Sequence, residues 1–351
     1  LLGNSASVVF GGAGTPIRVG MAGLETSAVP WLAAAINCIG LIVPIMMLNV
    51  MTTGAKNKRE QFWPALPFAI WSGIAFVLPS LFIALWLGPE FPSILGSIIG
   101  LILIIITTRL GIFMPKQTHS LSAKKIPIHN LSWFKTILPY VLLILFLVAG
   151  KIWLSGVNIL IPLGINHNFN LFNPGFAFIL AGLVTLFREK NQKEIIGNSI
   201  KIAIKGAIEP FLVIAVMSAI VQIMINSGNN LSGWPSSIAL IAKIFENSLL
   251  PLLAPIAGAF GSFITGSATI ANIMFGKLLS DTAQLLNINT AKILALTLVG
   301  GAAGNMVALA DMLAAEAVAG LRHQERSLLQ NLIGPCLIYV FLAGLVGLII
   351  T

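Results

Sequence analysis

Charge is what this sequence has least of. Only 9% of its 351 residues are Asp, Glu, Lys or Arg, while 57% are hydrophobic. A soluble core of that size needs a far more charged surface, so the soluble classes are excluded and a membrane protein remains. Cysteine is nearly absent too. Cys38 and Cys336 both lie in apolar segments, which excludes a disulfide framework and a cysteine metal site. The four histidines, His119, His129, His167 and His323, fall in polar connections without ligand spacing. No metal or other cofactor is therefore expected. No nucleophile stands beside a base, so the chain is not read as an enzyme.

The formal net charge of +9 does not point to nucleic acid, because no soluble face carries the basic residues. They come in short tracts between apolar runs: Lys56 to Arg59, Lys116 to Lys125, Arg188 to Lys193, then Arg322 and Arg326. Cytoplasmic loops of a multispanning protein read this way. A helical crossing needs about 20 apolar residues. Candidates are Leu1 to Met21 (broken by glycines), Ala28 to Met51, Phe62 to Leu87, Ile94 to Met114, Thr136 to Leu154, Pro174 to Phe187 and Ala207 to Asn226. Ala291 to Leu321 and Leu332 to Thr351 complete the set. Backbone groups in a bilayer must be satisfied internally, so the expected fold is an all-α, polytopic integral membrane protein with about nine spans and the bilayer as its first partner.

Basic and uncharged connections alternate only if residues 248–286 enter and leave on one side. That stretch is therefore expected to be a re-entrant hairpin within a single transmembrane domain, residues 1–351. Residues 188–205 mix charge with isoleucine at helical spacing and read as an amphipathic cytoplasmic segment. The chain opens on Leu1 without the features of a signal peptide and is expected to be a fragment.

Glycine supplies the next signal. "NSASVVFGGAGTPI" near the start and "LVGGAAGNM" near the end put glycine clusters inside apolar segments running in opposite directions, as an inverted repeat would. Broken helices offer free N–H and C=O groups to substrates and ions, although glycine is also a packing device between membrane helices. The hairpin stretch "GSFITGSATIANIMFG" gathers hydroxyls and an amide between two short apolar arms. A helix N-terminus at its tip suits a carboxylate.

Ionisable residues at membrane depth are functional candidates. Asp311 lies beyond the second cluster, one or two turns from Asn305, and is the candidate for proton binding. Glu316 and Glu209 read as interfacial. Arg18 has two readings: attraction of an incoming carboxylate, or a surface pair with Glu25, seven residues on.

These stretches, with "AVAGL" after the second cluster and "IKGAIEPFLVIAVMSAIVQIMINSG" before the hairpin, resemble the L-lactate permease family of secondary transporters. The resemblance implies a proton-coupled symporter of small 2-hydroxymonocarboxylates, chiefly lactate and glycolate, in a bacterial inner membrane. It also implies a first set of helices before Leu1. The family's substrate region then falls on Gly11, Gly12, Gly14 and Thr15; on Thr265, Gly266, Ser267, Thr269 and Asn272; and on Gly301, Gly304 and Asn305. Two departures stand out: Ala268 takes the place of an aspartate frequent in the family, and Leu309, Ala310 and Asp311 that of a Pro-His-Asn. Sodium coupling, a non-transporting membrane subunit and a homo-oligomer are the other readings left open.

Overall fold

The computed structural model describes residues 1–53, 57–115, 133–154, 157–162, 166–170, 172–186, 192–237, 240, 249–319, 321 and 323–351. The basic connections around Lys124 and Arg188, Arg322 and the side chain of Glu209 lie outside the described residues. Two compact units are present, residues 118–211 and the remainder, 1–117 with 212–351.

Residues 118–211 hold α7 (Trp133–Leu154) packed on α8 (Pro174–Leu186), and the start of α9 (Gln192–Asn226). Between α7 and α8, β1 (Asn158–Pro162) pairs antiparallel with β2 (Asn166–Asn170), setting Asn158 opposite Asn170. Lys151 places its ammonium 5.6 Å from the Phe172 ring centroid. The amphipathic segment and the span expected after it are one helix: α9 runs unbroken for 35 residues. At 1.5 Å per residue that is about 52 Å, longer than a hydrocarbon core is thick.

The other unit opens with α1 (Leu2–Val8), a turn over residues 9–14 and the four-residue α2 (Thr15–Arg18). α3 (Val29–Ile36) and α4 (Ile42–Thr52) form one apolar run with a 3-10 stretch, Asn37–Leu41, in its middle. That break was not anticipated; Asn37 in "AAAINCIGL" is its sequence mark. α5 (Lys58–Leu87) and α6 (Pro92–Arg109) pack as a pair through a short connection at residues 88–91.

α10 (Leu250–Thr265) and α11 (Ala268–Leu285) make the helix–turn–helix where the hairpin was expected. α12 (Thr290–Gly304), a 3-10 turn Asn305–Val307, and α13 (Leu309–Ala319) form the second broken segment, and α14 (Glu325–Ile350) closes the chain. Among the described residues, six helical stretches are long and apolar enough to cross a membrane, and α8 and α10 are shorter apolar helices. Exposed Trp31, Trp63, Trp86, Trp153 and Trp234 keep to segment ends, as interfacial anchors do.

The centre of this unit is α12. Its residues Ile293 to Gly304 are all buried, against α3, α10, α11 and α14. The α10 contact is backbone on backbone. A Cβ added to Gly300 would lie 2.0 Å from the Pro255 carbonyl oxygen, one on Gly304 2.1 Å from that of Ala259, and one on Gly258 2.0 Å from that of Thr297. Apolar burial drives little association in lipid, so such close approach, with its dispersion contacts, holds the two helices together.

Candidate functional site

At the first break, α1 ends with carbonyls that have no partner within the helix. The following turn supplies two donors, the Phe10 and Gly11 N–H groups reaching Ser7 O at 3.2 and 3.1 Å, and other elements add to them. Asn37 Nδ2 donates to Ala6 O at 2.9 Å, and Ser93 Oγ to Ser7 O at 2.5 Å. Asn37 is itself held by the buried Tyr339, whose hydroxyl donates to Asn37 Oδ1 at 2.5 Å. The turn then uses positive φ at Gly11, Ala13 and Gly14. Gly14 has a second constraint, because a Cβ there would come within 2.9 Å of the Pro89 carbonyl group. Gly12 is exposed, with nothing within 4 Å of an added Cβ.

Arg18, at the end of α2, donates through Nε to Glu90 Oε1 at 2.5 Å. The expected surface pair with Glu25 does not form. Glu25 accepts the Ser27 N–H at 3.0 Å, and hydrogen bonds from Ser27 hold its carboxyl below the usual range. The Arg18 side chain is 45% exposed while that of Glu90 is fully buried, so the acid needs its cation more than the cation needs the acid. Glu90 was missed in the sequence. Its mark is a lone acid between Gly88-Pro89 and Phe91-Pro92, in a connection otherwise without charge.

The hairpin turn is tighter than its polar sequence suggests. Helix continues through Thr265, Gly266 takes the left-handed conformation (φ 68°), and Ser267 already caps α11, its Oγ accepting the Ile270 N–H at 3.3 Å. Thr265 Oγ1 donates to Gly261 O at 2.8 Å and accepts the Ser267 N–H at 3.3 Å. The Thr265 and Ser267 hydroxyls therefore build the turn. The arms are longer than expected, 16 and 18 residues.

The second break is displaced from its glycines. Gly300, Gly301 and Gly304 are helical and buried, with Gly300 and Gly304 against α10 and Gly301 facing Ala268 of α11. The helix is interrupted at Asn305–Ala308, where Ala308 is extended (φ −67°, ψ 129°). Cys336, near the middle of α14, donates through Sγ to Ala303 O at 3.4 Å, so this interruption lies level with the middle of the long closing helix. Ser262 Oγ donates to Asn305 Oδ1 at 2.9 Å. Asp311 lies near the Asn305 side chain, and its buried Oδ2 has no partner among the described residues. Glu316 is more enclosed than an interfacial acid: it is 4% exposed, and Oε1 accepts the Gln324 N–H at 3.0 Å, fastening the connection into α14.

Three stretches far apart in sequence thus meet. The hairpin tip touches the second break at Gly266, where a Cβ would lie 2.9 Å from Ala310 Cβ. α11 touches the first segment through Asn272 Nδ2, 3.3 Å from Pro16 O. Gly20 packs there as well, with room for no side chain: a Cβ would fall 2.9 Å from Asn272 Cβ and from Thr269 O. Arg18 lies on the rim and Asp311 beside the second break. Among the described residues no cluster of His, Cys, Asp and Glu is arranged to hold a metal ion.

A family model described as L-lactate permease matches residues 1–162 and 157–351. A putative L-lactate permease of Haemophilus influenzae is 29% identical over 98% of this chain and 70% of its own length. An L-lactate permease of Streptococcus iniae is 26% identical over 82% of the chain and 62% of its own length. A glycolate permease of Escherichia coli is 25% identical over 99% and 70%. No solved structure matches the chain.

Proposed function

The chain belongs to the L-lactate permease family, and from that premise we propose that it is a secondary transporter of small 2-hydroxymonocarboxylates, driven by proton symport in a bacterial inner membrane. The relatives are permeases named for lactate and glycolate, which supports transport and not catalysis. The observation that carries the reading is the meeting of the hairpin tip with both breaks: Gly266 on Ala310, Ser262 on Asn305 and Asn272 on Pro16.

In this reading the hairpin of α10 and α11 is re-entrant, and the first turn of α11 faces the substrate carboxylate. That turn has orphan N–H groups and a positive dipole end, both favourable to an anion. The first break, Gly11 to Thr15, lines the approach, and half-exposed Arg18 draws the anion in, its charge moderated by Glu90. Asp311 takes the coupling proton. When it is ionised, Asn305 donates to it; when it is protonated, that hydrogen bond weakens and the Ser262–Asn305 tie to the hairpin is free to rearrange. Alternating access follows from movement of the hairpin against its surroundings, on the plan of an inverted repeat.

The test is uptake of labelled L-lactate and glycolate by the full chain in proteoliposomes, under an imposed pH gradient and, separately, a sodium gradient. Proton-driven uptake is expected, with concentrative uptake lost in Asp311→Asn while counterflow exchange persists. Arg18→Gln should raise KM and leave the maximal rate. Uptake driven only by sodium would replace the coupling ion, and no uptake by folded protein would remove the substrate assignment.

A further inference from the structure

The hydroxyls of Thr265 and Ser267 build the turn, so the polar tip has to be searched for a side chain with capacity left over. Asn272 has it. It is 0% exposed, and its Oδ1 has no hydrogen-bond partner among the described residues. Native proteins seldom bury such an acceptor without a reason. The orientation of the amide follows from its neighbour: Nδ2 donates to Pro16 O, and turning the group over would set two oxygens against each other. Oδ1 is therefore the atom directed away from the first segment.

Asn272 lies four residues after Ala268, on the same face of α11, and helical side chains lean toward the helix N-terminus. It leans over the turn that carries the Ala268 and Thr269 N–H groups. Those two have no acceptor within the helix, whereas the next two N–H groups are taken, Ile270 by Ser267 Oγ and Ala271 by Ser267 O. The place thus offers two donors next to one buried acceptor.

We infer that Asn272 reads the 2-hydroxyl of the transported acid, its Oδ1 accepting the hydroxyl hydrogen while the first-turn N–H groups hold the adjacent carboxylate. The inference rests on the transport reading above and makes it specific. Lactate and glycolate differ by one methyl group and share a hydroxyl on the carbon next to the carboxylate. At neutral pH that hydroxyl is the only hydrogen-bond donor either anion has. Propionate has no group there, and pyruvate presents a second acceptor, so each leaves Oδ1 unsatisfied. A site that hydrogen-bonds a hydroxyl rejects analogues without it more strongly than an apolar pocket rejects an extra one.

The experiment is inhibition of labelled L-lactate uptake by unlabelled lactate, glycolate, propionate and 2-methoxypropionate, in the wild-type chain and in Asn272→Leu. The methoxy compound keeps the oxygen and replaces the donated hydrogen with a methyl group, while propionate removes the hydroxyl without adding bulk. Wild type is expected to bind propionate and 2-methoxypropionate about tenfold to hundredfold more weakly than lactate, the range for leaving one buried acceptor unpaired. Asn272→Leu should narrow that gap to about threefold or less through loss of lactate affinity. Equal inhibition by all four in wild type, or an undiminished gap in Asn272→Leu, would overturn the inference. Should the variant fail to fold, the wild-type series decides alone, with propionate showing the loss of the donor without added bulk. Absence of any lactate or glycolate uptake by folded wild type removes this inference together with the transport reading; lactate uptake with a flat inhibition series removes this inference only.

Discussion

The two glycine clusters look alike in sequence and do opposite things. At the first, Gly11 and Gly14 take positive φ and the helix stops, its last carbonyls bonded by the turn's own N–H groups and by Asn37 and Ser93 from elsewhere. At the second, Gly300, Gly301 and Gly304 stay helical, and two of them bring the backbone of α12 against that of α10. The interruption there falls just after the cluster, at Asn305–Ala308. A glycine in an apolar run permits either an unusual dihedral or a close neighbour, and only the neighbour tells which.

That contrast can be tested by adding side chains. The largest effect is expected at Gly300. Gly300→Val puts a branched carbon into the Pro255 carbonyl and should cost at least about 3 kcal/mol of stability, read as a lowered Tm of the solubilised protein or failure to accumulate in the membrane. A Tm within a degree of wild type would mean that α10 and α12 do not pack on this face. Gly14→Ala should be milder. The left-handed conformation costs an L-residue roughly 1–2 kcal/mol, and the Pro89 contact adds to it. Its larger signature should be functional, through displacement of the connection that presents Glu90 to Arg18. The smallest effect belongs to Gly12→Ala, which has negative φ and open space, and should shift stability by less than about 0.5 kcal/mol. If Gly12→Ala nonetheless abolished uptake in well-folded protein, the exposed backbone at Gly12 would be a substrate contact, and the two clusters would differ more than packing alone implies.

Much of the architecture was legible because the bilayer leaves so few choices. Apolar runs of sufficient length become helices, and their ends agreed with the structure to within a few residues for α6, α7 and α8. The exceptions have local causes. The charged stretch before Ala207 read as a segment separate from the span because charge marks the end of a span; helix propagation does not stop there, and α9 joins the two. The polar tip read as a place for substrate, and the structure adds that Thr265 and Ser267 use their hydroxyls to make a two-residue turn. The Arg18–Glu25 pairing rested on sequence spacing, and Ser27, two residues from Glu25, competes more closely.

The candidate site was legible only in part, for the same reason. Asn272, Asn305 and Asp311 could be named from polarity in apolar surroundings, which carries a cost wherever it occurs. Glu90, Asn37, Ser93 and Tyr339 could not be placed, because each acts on a segment distant in the chain: Tyr339 reaches Asn37 across 302 residues, and Arg18 reaches Glu90 across 72. By itself the sequence determined that the chain lives in a membrane, that it is built of helices, and where those helices tolerate interruption. All three follow from local composition and from the need to satisfy every backbone group in a solvent that offers no hydrogen bonds. Tertiary structure alone decided which interruptions meet, which glycines turn and which pack, and which buried oxygen keeps its capacity. Those depend on what lies within a few ångströms in space, and a buried polar atom is satisfied or left open only by its neighbours there.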